Sequence, residues 1–454
     1  MNHENQPTKV PDEDKQGGEV PQHCYGAERG VWTDAMLITL HHRRVRGNKW
    51  FSLIDKIASD RTLGIAWDKV EGNAGACGVD SVTIGHFAKD SERRLLAVKK
   101  HLKEGDYQPQ AVKRVHIPKA GSSETRPLGI PTVRDRVVQG ALKMVIEPIF
   151  EREFCENSYG FRPGRGCKDA LREVERLLRS GHHHVVDVDI QGYFDAIPHQ
   201  ALLELVNERV SDRKVLGLIE AFLKQGVVED GIKVIEEAKQ GSPQGGLISP
   251  LLANIYLNPL DWLLESLGLR SIRYADDIVV LAKSAEEAQS ALKTISDWMG
   301  KASLTLHPGK TRLVDMSANG AHFDFLGYCF VRSRRGKLNK VIRPKSEKKL
   351  RGNLKKATKR CNRNCLPGII AEINPTLRGF YGYFKHAHPS SLGSLDSWVR
   401  MRLRSILRQR HKGKGRGRGL DHRKWPNRYF EKLGLFSLKQ AREEEMSLRK
   451  RANC

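Results

Sequence analysis

The chain has 454 residues and a formal net charge of +25, and this length favours two or three packed domains. No run of 18 apolar residues occurs, which excludes a membrane-spanning helix of ordinary length. The positive charge is uneven, because residues 331–454 contain 35 Lys and Arg against 8 Asp and Glu, whereas residues 1–330 contain 43 against 45. Such a basic segment predicts a surface that binds phosphates, although a solvated tail has the same composition.

Residues 1–49 are polar at their start and lack the apolar segment of a signal peptide, so we expect an N-terminal extension. The eight cysteines are scattered, and only Cys361 and Cys365 lie close together. No second pair completes a zinc site, so reduced thiols in a cytosolic protein are the favoured interpretation.

Helical patterns cover Val31 to Arg46 and Trp50 to Val70. Val112 to Pro118 then reads as a strand with basic side chains, and Arg126 begins a second strand after a loop that opens at Lys119. Basic side chains on a short hairpin can hold a triphosphate. For this stretch alone, a solvated basic hairpin is the favoured alternative.

Residues 157–166, N-S-Y-G-F-R-P-G-R-G, form a loop shaped by glycine and proline that carries Arg162 and Arg165. The loop suits a nucleic-acid backbone, but an ordinary ordered turn explains the pattern too. Further along, V-V-D-V-D-I from Val185 to Ile190 alternates as a strand, with Asp187 and Asp189 on one face. Carboxylates at the end of a buried strand are costly unless they are paired or bind a metal.

Residues 240–250, Q-G-S-P-Q-G-G-L-I-S-P, predict a flexible loop that leads into an apolar helix from Leu251 to Leu267. The next segment, S-I-R-Y-A-D-D-I-V-V-L-A-K, predicts a hairpin with Asp276 and Asp277 at its turn. Two such carboxylates about 4 Å apart repel by roughly 1 kcal/mol in water and more in apolar surroundings. A divalent cation would remove this penalty, and a simple polar turn is an equal alternative for this segment alone.

The basic segment contains three apolar stripes at helical spacing, which predict three packed helices with a cationic surface. Asn374 and Pro375 are start signals for the second helix. The third carries Arg400, Arg402 and Arg404 beside its stripe. His411 to Gly419 then predicts a flexible basic linker before a small terminal element.

Taken together, R-P-L-G-I-P-T-V-R-D-R-V-V-Q, S-Y-G-F-R-P-G-R, Q-G-S-P-Q-G-G-L-I-S-P-L-L-A-N-I-Y-L, Y-A-D-D and F-L-G resemble the group II intron-encoded reverse transcriptase/maturase of bacteria. The resemblance runs from about Trp50 to Leu438. It implies an α+β fold of the right-hand polymerase type, with fingers and an antiparallel palm sheet in residues 50–330. It also implies an α-helical thumb, or maturase domain X, in residues 331–412, and a basic linker with a DNA-binding element in residues 413–454.

The resemblance also implies roles for individual residues. Two Mg²⁺ ions would be held by Asp189, Asp276 and Asp277, with the carbonyl of Ile190 as a further ligand, whereas Asp187 is not at a metal position. Phe194 would exclude a ribose 2′-hydroxyl. The other implied dNTP-binding residues are Lys119, Arg126, Gln244, Gly245 and Lys310. The implied primer grip is Phe325, Leu326 and Gly327. The candidates for nucleic-acid contacts are Arg162, Arg165, Lys355, Lys356, Arg378, Arg400, Arg402 and Arg404.

The implied function is an RNA-directed DNA polymerase and maturase that binds group II intron RNA, assists splicing, and copies the RNA into DNA by target-primed reverse transcription. Its expected partners are intron RNA, target DNA, dNTPs and a second copy of the chain, and no membrane. Its expected location is the bacterial cytoplasm, in association with the nucleoid. The chain lacks the paired cysteines of the family's endonuclease, and in this it resembles the endonuclease-lacking class. The alternatives are a domesticated reverse transcriptase in host defence or repair, and a splicing-only RNA-binding maturase.

Overall fold

The computed structural model describes residues 25–41, 49–118, 125–229, 231–235, 239–243, 245–417 and 419–452. Two compact units follow from the contacts within the chain. The first comprises Met1–Ile117 and Thr125–Leu313, and the second comprises Pro118–Glu124 and Val314–Cys454. Lys119 and Gln244, both expected to bind dNTP, lie outside the described residues.

The first unit is mainly helical. Its helices are α1 (Asp34–His41), α2 (Ile54–Ile57), α3 (Asp60–Gly72), α4 (Ile84–Ala88), α5 (Ser91–Glu104), α6 (Val133–Glu151), α7 (Cys167–Arg179), α8 (Tyr193–Ala196), α9 (His199–Asn207), α10 (Arg213–Lys224), α11 (Ser249–Ser266) and α12 (Ala285–Lys301). Helices α6 and α11 are buried around most of their circumference, and most of their buried residues are apolar. The core therefore forms around these two helices.

The strands up to residue 315 form two four-stranded sheets. They are β1 (Val112–Pro118), β2 (Thr125–Ile130), β3 (His184–Val188), β4 (Val227–Glu229), β5 (Ile232–Ile235), β6 (Arg270–Tyr274), β7 (Asp277–Ala282) and β8 (Arg312–Asp315). One sheet has the order β2-β1-β4-β5, and the other has the order β6-β7-β3-β8. The predicted acidic hairpin is the antiparallel pair β6–β7 at one side of the second sheet.

The second unit begins with a three-stranded sheet of order β11-β10-β9 and continues as helices. Its elements are β9 (His322–Phe325), β10 (Tyr328–Arg332), β11 (Leu338–Ile342), α13 (Pro344–Ala357), α14 (Leu366–Phe384), α15 (Pro389–Arg410), α16 (Leu420–Lys424), α17 (Asn427–Lys432) and α18 (Leu438–Ala452). Helix α18 packs on α14 and α15. The terminal element therefore belongs to the same compact unit as the three predicted helices. No helix of the described residues combines the length and the apolar composition needed to cross a bilayer.

Three local predictions were wrong. Helix α1 begins at Asp34 rather than at the predicted Val31, and residues 42–46 of the predicted helix lie outside the described residues. Helix α14 begins at Leu366, with a proline in its first turn, and Pro375 lies inside it. The interior proline is tolerated because apolar residues before and after it, such as Ile373 and Leu377, are buried.

The predicted flexible linker after α15 is instead packed against that helix, at least in residues 411–417. The backbone N–H of Gly417 donates to the hydroxyl of Ser405 at 3.0 Å. A Cβ on Gly417 would lie 2.5 Å from the Cβ of Arg404. Glycine is therefore needed for close approach here rather than for flexibility.

Candidate active site

The acidic hairpin brings two of the predicted carboxylates to the end of a buried strand pair. Strands β6 and β7 pair up to Tyr274 and Asp277, and Ala275, at φ 59°, makes the turn with Asp276. Strand β3 pairs with β7 up to Val188 and Ile278. Continued by one residue, this register would place Asp189 opposite Asp277.

A buried arginine holds this turn from inside the protein. Arg273 is fully buried, and its Nε donates to both carboxylate oxygens of Asp261 at 2.8 and 2.9 Å. Its Nη1 donates to the Asn254 side chain at 2.8 Å and to the carbonyl of Ala275 at 3.0 Å. The Ala275 carbonyl directly precedes Asp276, so this network sets the position of the acidic turn. Sequence analysis missed all three polar side chains, although Asn254 and Asp261 stand out as polar residues in an apolar helix.

A glycine supports the turn on its other side. A Cβ on Gly160 would lie 2.2 Å from the backbone nitrogen of Ala275, so only glycine fits. The Asn254 side chain donates to the Gly160 carbonyl at 2.8 Å, which ties the loop of residues 157–166 to the same network. That loop therefore shapes the acidic turn.

Asp189 lies just after β3 and is held by its backbone. Its carbonyl accepts the backbone N–H of His307 at 2.8 Å, and Ile190 bridges Leu306 in an antiparallel arrangement. The carboxylate of Asp189 lies 3.2 Å from Nζ of Lys310. On β3 itself, Asp187 pairs with Arg312 at 3.1 Å. The two acids thus have different basic partners.

Burial raises the pKa of the half-buried Asp276 carboxyl. Arg126 opposes this pKa rise, Asp189 adds to it, and Arg273 opposes it. A partly desolvated carboxylate close to a second acid is a costly arrangement that a divalent cation would relieve. Carboxylate oxygens are hard donors, so the residues of this site fit such a cation.

Among the described residues, only His101, Glu104 and Asp106 bring three metal-binding side chains within 4.8 Å of one another, and all three are exposed. The side chains of Asp189, Asp276 and Asp277 are therefore more widely spaced than that cluster.

The two neighbouring cysteines, Cys361 and Cys365, are exposed free thiols.

The loop of residues 240–246 approaches the site from the side of Phe194. The backbone N–H of Ser242 donates to the Phe194 carbonyl at 2.7 Å. Gly245 has φ 122°, and a Cβ there would lie 2.3 Å from the carbonyl oxygen of Gly129 on β2. Because β2 also carries the exposed Arg126, these three predicted dNTP-binding residues belong to connected segments.

Two aromatic side chains beside the acidic turn were not assigned a role from the sequence. Phe161 is 49% exposed, and its ring centroid lies 6.4 Å from that of Tyr274. Burial, together with the neighbouring Cys167, raises the pKa of Tyr274 to about 12, so its hydroxyl stays neutral. Exposed rings of this kind can stack on nucleobases.

Arg162 and Arg165 lie in the predicted loop, but neither presents a free guanidinium. Arg162 is buried, with Nε bound to both oxygens of Glu151 at 3.0 Å and Nη1 bound to two carbonyls. Arg165 pairs with Glu156 and lies over the ring of Tyr159. The assignment of Arg162 to nucleic-acid binding was wrong, because all of its donors serve the protein interior.

The residues of the second unit that were predicted to contact nucleic acid also include both buried and exposed side chains. Arg404 is buried and donates to the Trp425 carbonyl and the Asn427 side chain, so its assignment as a nucleic-acid contact was wrong. Arg402 is half-buried and donates to Thr358. The remaining candidates are partly or fully exposed, and they are Lys355, Lys356, Arg378 and Arg400.

The predicted primer grip is a tight turn between β9 and β10. Phe325 is buried in the core, whereas Leu326 and Gly327 both have positive φ. The Leu326 carbonyl accepts the hydroxyl of Tyr383 at 2.8 Å. A primer contact at this turn would therefore involve its backbone rather than the Phe325 ring.

Comparisons with known proteins agree with these features. Residues 117–330 match the family model for reverse transcriptase (RNA-dependent DNA polymerase), and residues 347–425 match the model for the group II intron, maturase-specific domain. Over 296 residues the chain is 33% identical to Protein YkfC of Escherichia coli (strain K12), covering 57% of this chain and 76% of that protein. The chain belongs to the family of group II intron-encoded reverse transcriptases.

Another member of this family is also similar. Group II intron-encoded protein LtrA of Lactococcus lactis subsp. cremoris is 37% identical over 239 residues, which is 52% of this chain and only 39% of LtrA. The predicted fold class, a reverse transcriptase domain of mixed helices and sheets followed by a helical region, is confirmed. Members of the family generally use divalent metal ions.

Proposed function

We propose that this protein is an RNA-directed DNA polymerase that binds group II intron RNA, assists its splicing, and copies it into DNA at a DNA target. The observation that carries the proposal is the placement of Asp276 and Asp277 at the turn of β6 and β7 and of Asp189 directly after β3, the strand that pairs with β7. The matches to a reverse transcriptase model and a maturase-specific model support the two halves of this activity.

In this proposal, Asp189, Asp276 and Asp277 hold two Mg²⁺ ions, and the Ile190 carbonyl adds a ligand. Held by these residues, Mg²⁺ would supply activation of the primer hydroxyl and neutralisation of charge on the leaving pyrophosphate. Arg126, on the exposed strand β2, binds the triphosphate.

Other residues select and orient the nucleotide. Phe194 is held through its backbone by the loop of residues 240–246, and its ring excludes a ribose 2′-hydroxyl. Lys310, whose ammonium lies 3.2 Å from Asp189, keeps a positive charge next to the reacting phosphates. Lys119 and Gln244 complete the expected nucleotide contacts.

The test is primer extension on an RNA template with Mg²⁺ and dNTPs, comparing the wild type with Asp276→Asn. Losing one carboxylate ligand removes several kcal/mol of transition-state stabilisation, so we expect the rate to fall by at least about 100-fold. The matched control is Asp187→Asn, two residues before Asp189 on β3, which should keep most of the activity. A wild type that makes no Mg²⁺-dependent DNA, or an Asp276→Asn variant of full activity, would refute the polymerase.

Splicing assistance needs a separate experiment, because it depends on RNA binding and not on the acidic site. The exposed cations of the maturase-specific segment, such as Lys355 and Lys356, support RNA binding there. The intron RNA that flanks the gene, folded with the protein, should yield ligated exons faster than the RNA alone. Asp276→Asn should leave that rate unchanged. Action on a DNA target at the nucleoid and assembly as a dimer stay predictions.

A further inference from the structure

The second unit contains a cationic pocket that is separate in sequence from the residues of the proposed polymerase site. It has a volume of about 430 Å³ and lies among α13, α15 and the loop that follows α15. Five cationic side chains line it together with one tryptophan, and they are Arg351, Lys355, Arg360, Arg402, Arg416 and Trp398. Among the residues that the structure describes, none of the lining side chains is acidic.

The tryptophan is surrounded by guanidinium groups. The guanidinium carbon of Arg351 lies 5.5 Å from the ring centroid of Trp398, and that of Arg402 lies 6.0 Å from it. Arg402 is oriented by a hydrogen bond to the Thr358 hydroxyl at 3.2 Å. Arg351 pairs with Glu347, but its Nε is buried without a hydrogen-bond partner. The guanidinium groups of Arg351 and Arg402 are thus held in place, and the Nε–H of Arg351 has no acceptor.

The charges of this pocket repel one another. Burial lowers the pKa of Arg402, and the nearby Arg360 and Arg416 lower it further. Such a cluster is stabilised by an anion, because like charges in a partly desolvated pocket are costly. A phosphate group supplies the required charge and accepts several guanidinium hydrogen bonds.

Arg416 reaches the pocket because its loop is built to return to α15. The Gly417 N–H binds Ser405, and a Cβ on Gly413 would lie 2.6 Å from Cγ of Arg408. Arg408 in turn pairs with Asp421 at 2.7 Å. The loop is therefore anchored on both sides of Arg416, and the pocket is an ordered feature of this unit.

We propose that this pocket holds one unpaired nucleotide of the bound RNA, with its phosphate among Arg360, Arg402 and Arg416 and its base against Trp398 and the guanidinium planes. This inference rests on the proposed binding of intron RNA, since all of the lining residues fall within the maturase-specific segment. The volume suits a small ligand, whereas a base inside a duplex cannot enter a pocket. Aromatic and guanidinium planes are the groups on which unpaired RNA bases stack.

The experiment measures the affinity of the full-length chain for two RNA hairpins that differ only in one bulged adenosine. We expect the wild type to bind the bulged hairpin about 10-fold more tightly, as one stacked base provides. Trp398→Ala should abolish this preference while the fully paired hairpin binds as before, and Trp398→Phe should keep most of it. The matched control is Trp262→Ala, which removes an exposed tryptophan of the first unit.

A second pair of variants keeps the test valid if Trp398→Ala fails to fold. Arg360→Ala should reduce the preference for the bulge, whereas Arg363→Ala, on an exposed residue outside the pocket, should not. Equal binding of both hairpins by the wild type, or a preference that survives both pocket variants, would overturn the inference and leave RNA binding intact. Absence of binding to either hairpin would instead refute RNA binding itself, and the inference with it.

Discussion

Arg273 connects the acidic turn to the core through one side chain. It is buried without exposure, and its guanidinium serves Asp261, Asn254 and the carbonyl before Asp276. A buried ion pair contributes little net stability when intact, but removing one partner leaves a charge buried without compensation. We therefore infer that the Arg273 network serves to position the acidic turn.

The Arg273→Met variant should therefore be impaired in both stability and polymerisation. Leaving Asp261 unpaired costs about 3–5 kcal/mol of unfolding free energy. Urea unfolding and primer extension measure the two effects. Arg270→Met, on the exposed end of the same strand, should change stability by about 0.5 kcal/mol or less and leave extension unchanged. Full extension activity in the Arg273→Met variant would show that the turn does not need this arginine.

At the scale of single residues, sequence patterns predicted the hairpin position of the acids but not the burial of the arginines. Asp276 and Asp277 are conspicuous because they interrupt an apolar, β-branched segment. Arg162 looks like a surface residue in a loop of glycine and proline, yet it is buried against Glu151 of the preceding helix. Local sequence cannot distinguish these cases, because burial of a loop arginine depends on a partner brought by tertiary packing.

At the scale of elements, the loop of residues 240–246 is tied to helix α9 through a histidine. The Nε2–H of His199 donates to the Gly241 carbonyl at 2.6 Å, and its Nδ1 is buried without a partner. Burial lowers the pKa of His199 below its ordinary value of 6.5, the hydrogen bond to Gly241 and the charge of Glu220 oppose this, and Lys224 adds to it. The folded protein therefore favours the neutral form of the His199 imidazole.

This pKa shift gives stability a defined pH dependence. A base whose folded-state pKa is depressed binds fewer protons when folded, so stability is lost as pH falls from 6.5 through the depressed value. His199→Gln can still donate to Gly241 but does not titrate. We expect the unfolding free energy of the wild type to fall more steeply than that of His199→Gln between neutral pH and about pH 5. Parallel pH profiles of the two proteins would exclude this role of His199.

Element boundaries were the least predictable part of the fold. The hairpin β6–β7 was predicted from its alternation and its acidic turn, and the structure places it there. Helix α14 was predicted to start at Asn374 because Asn-Pro is a helix-start signal, but the helix continues through it from Leu366. Its buried apolar face outweighs the local signal, and only the tertiary structure reveals that face.

At the scale of the whole molecule, charge and chemistry are separated along the chain. The first 330 residues contain the acidic site and are nearly neutral, whereas residues 331–454 contain the whole positive excess. Acids that bind a cation would be weakened by a strongly basic surrounding, while RNA binding requires one. This division suits a chain that combines the two proposed activities.

The division also determines how RNA binding should respond to salt. Each phosphate neutralised by the protein makes the logarithm of affinity fall by about 0.7 per log unit of salt for single-stranded RNA. Replacing the exposed Lys355 and Lys356 with alanine should therefore reduce the slope by about 1.4, twice that amount. Replacing Lys293 and Lys301, exposed residues of α12 in the neutral part of the chain, should leave the slope unchanged. Affinity measured across a salt series tests this, and equal slopes for wild type and the Lys355/Lys356 variant would place the phosphate contacts elsewhere.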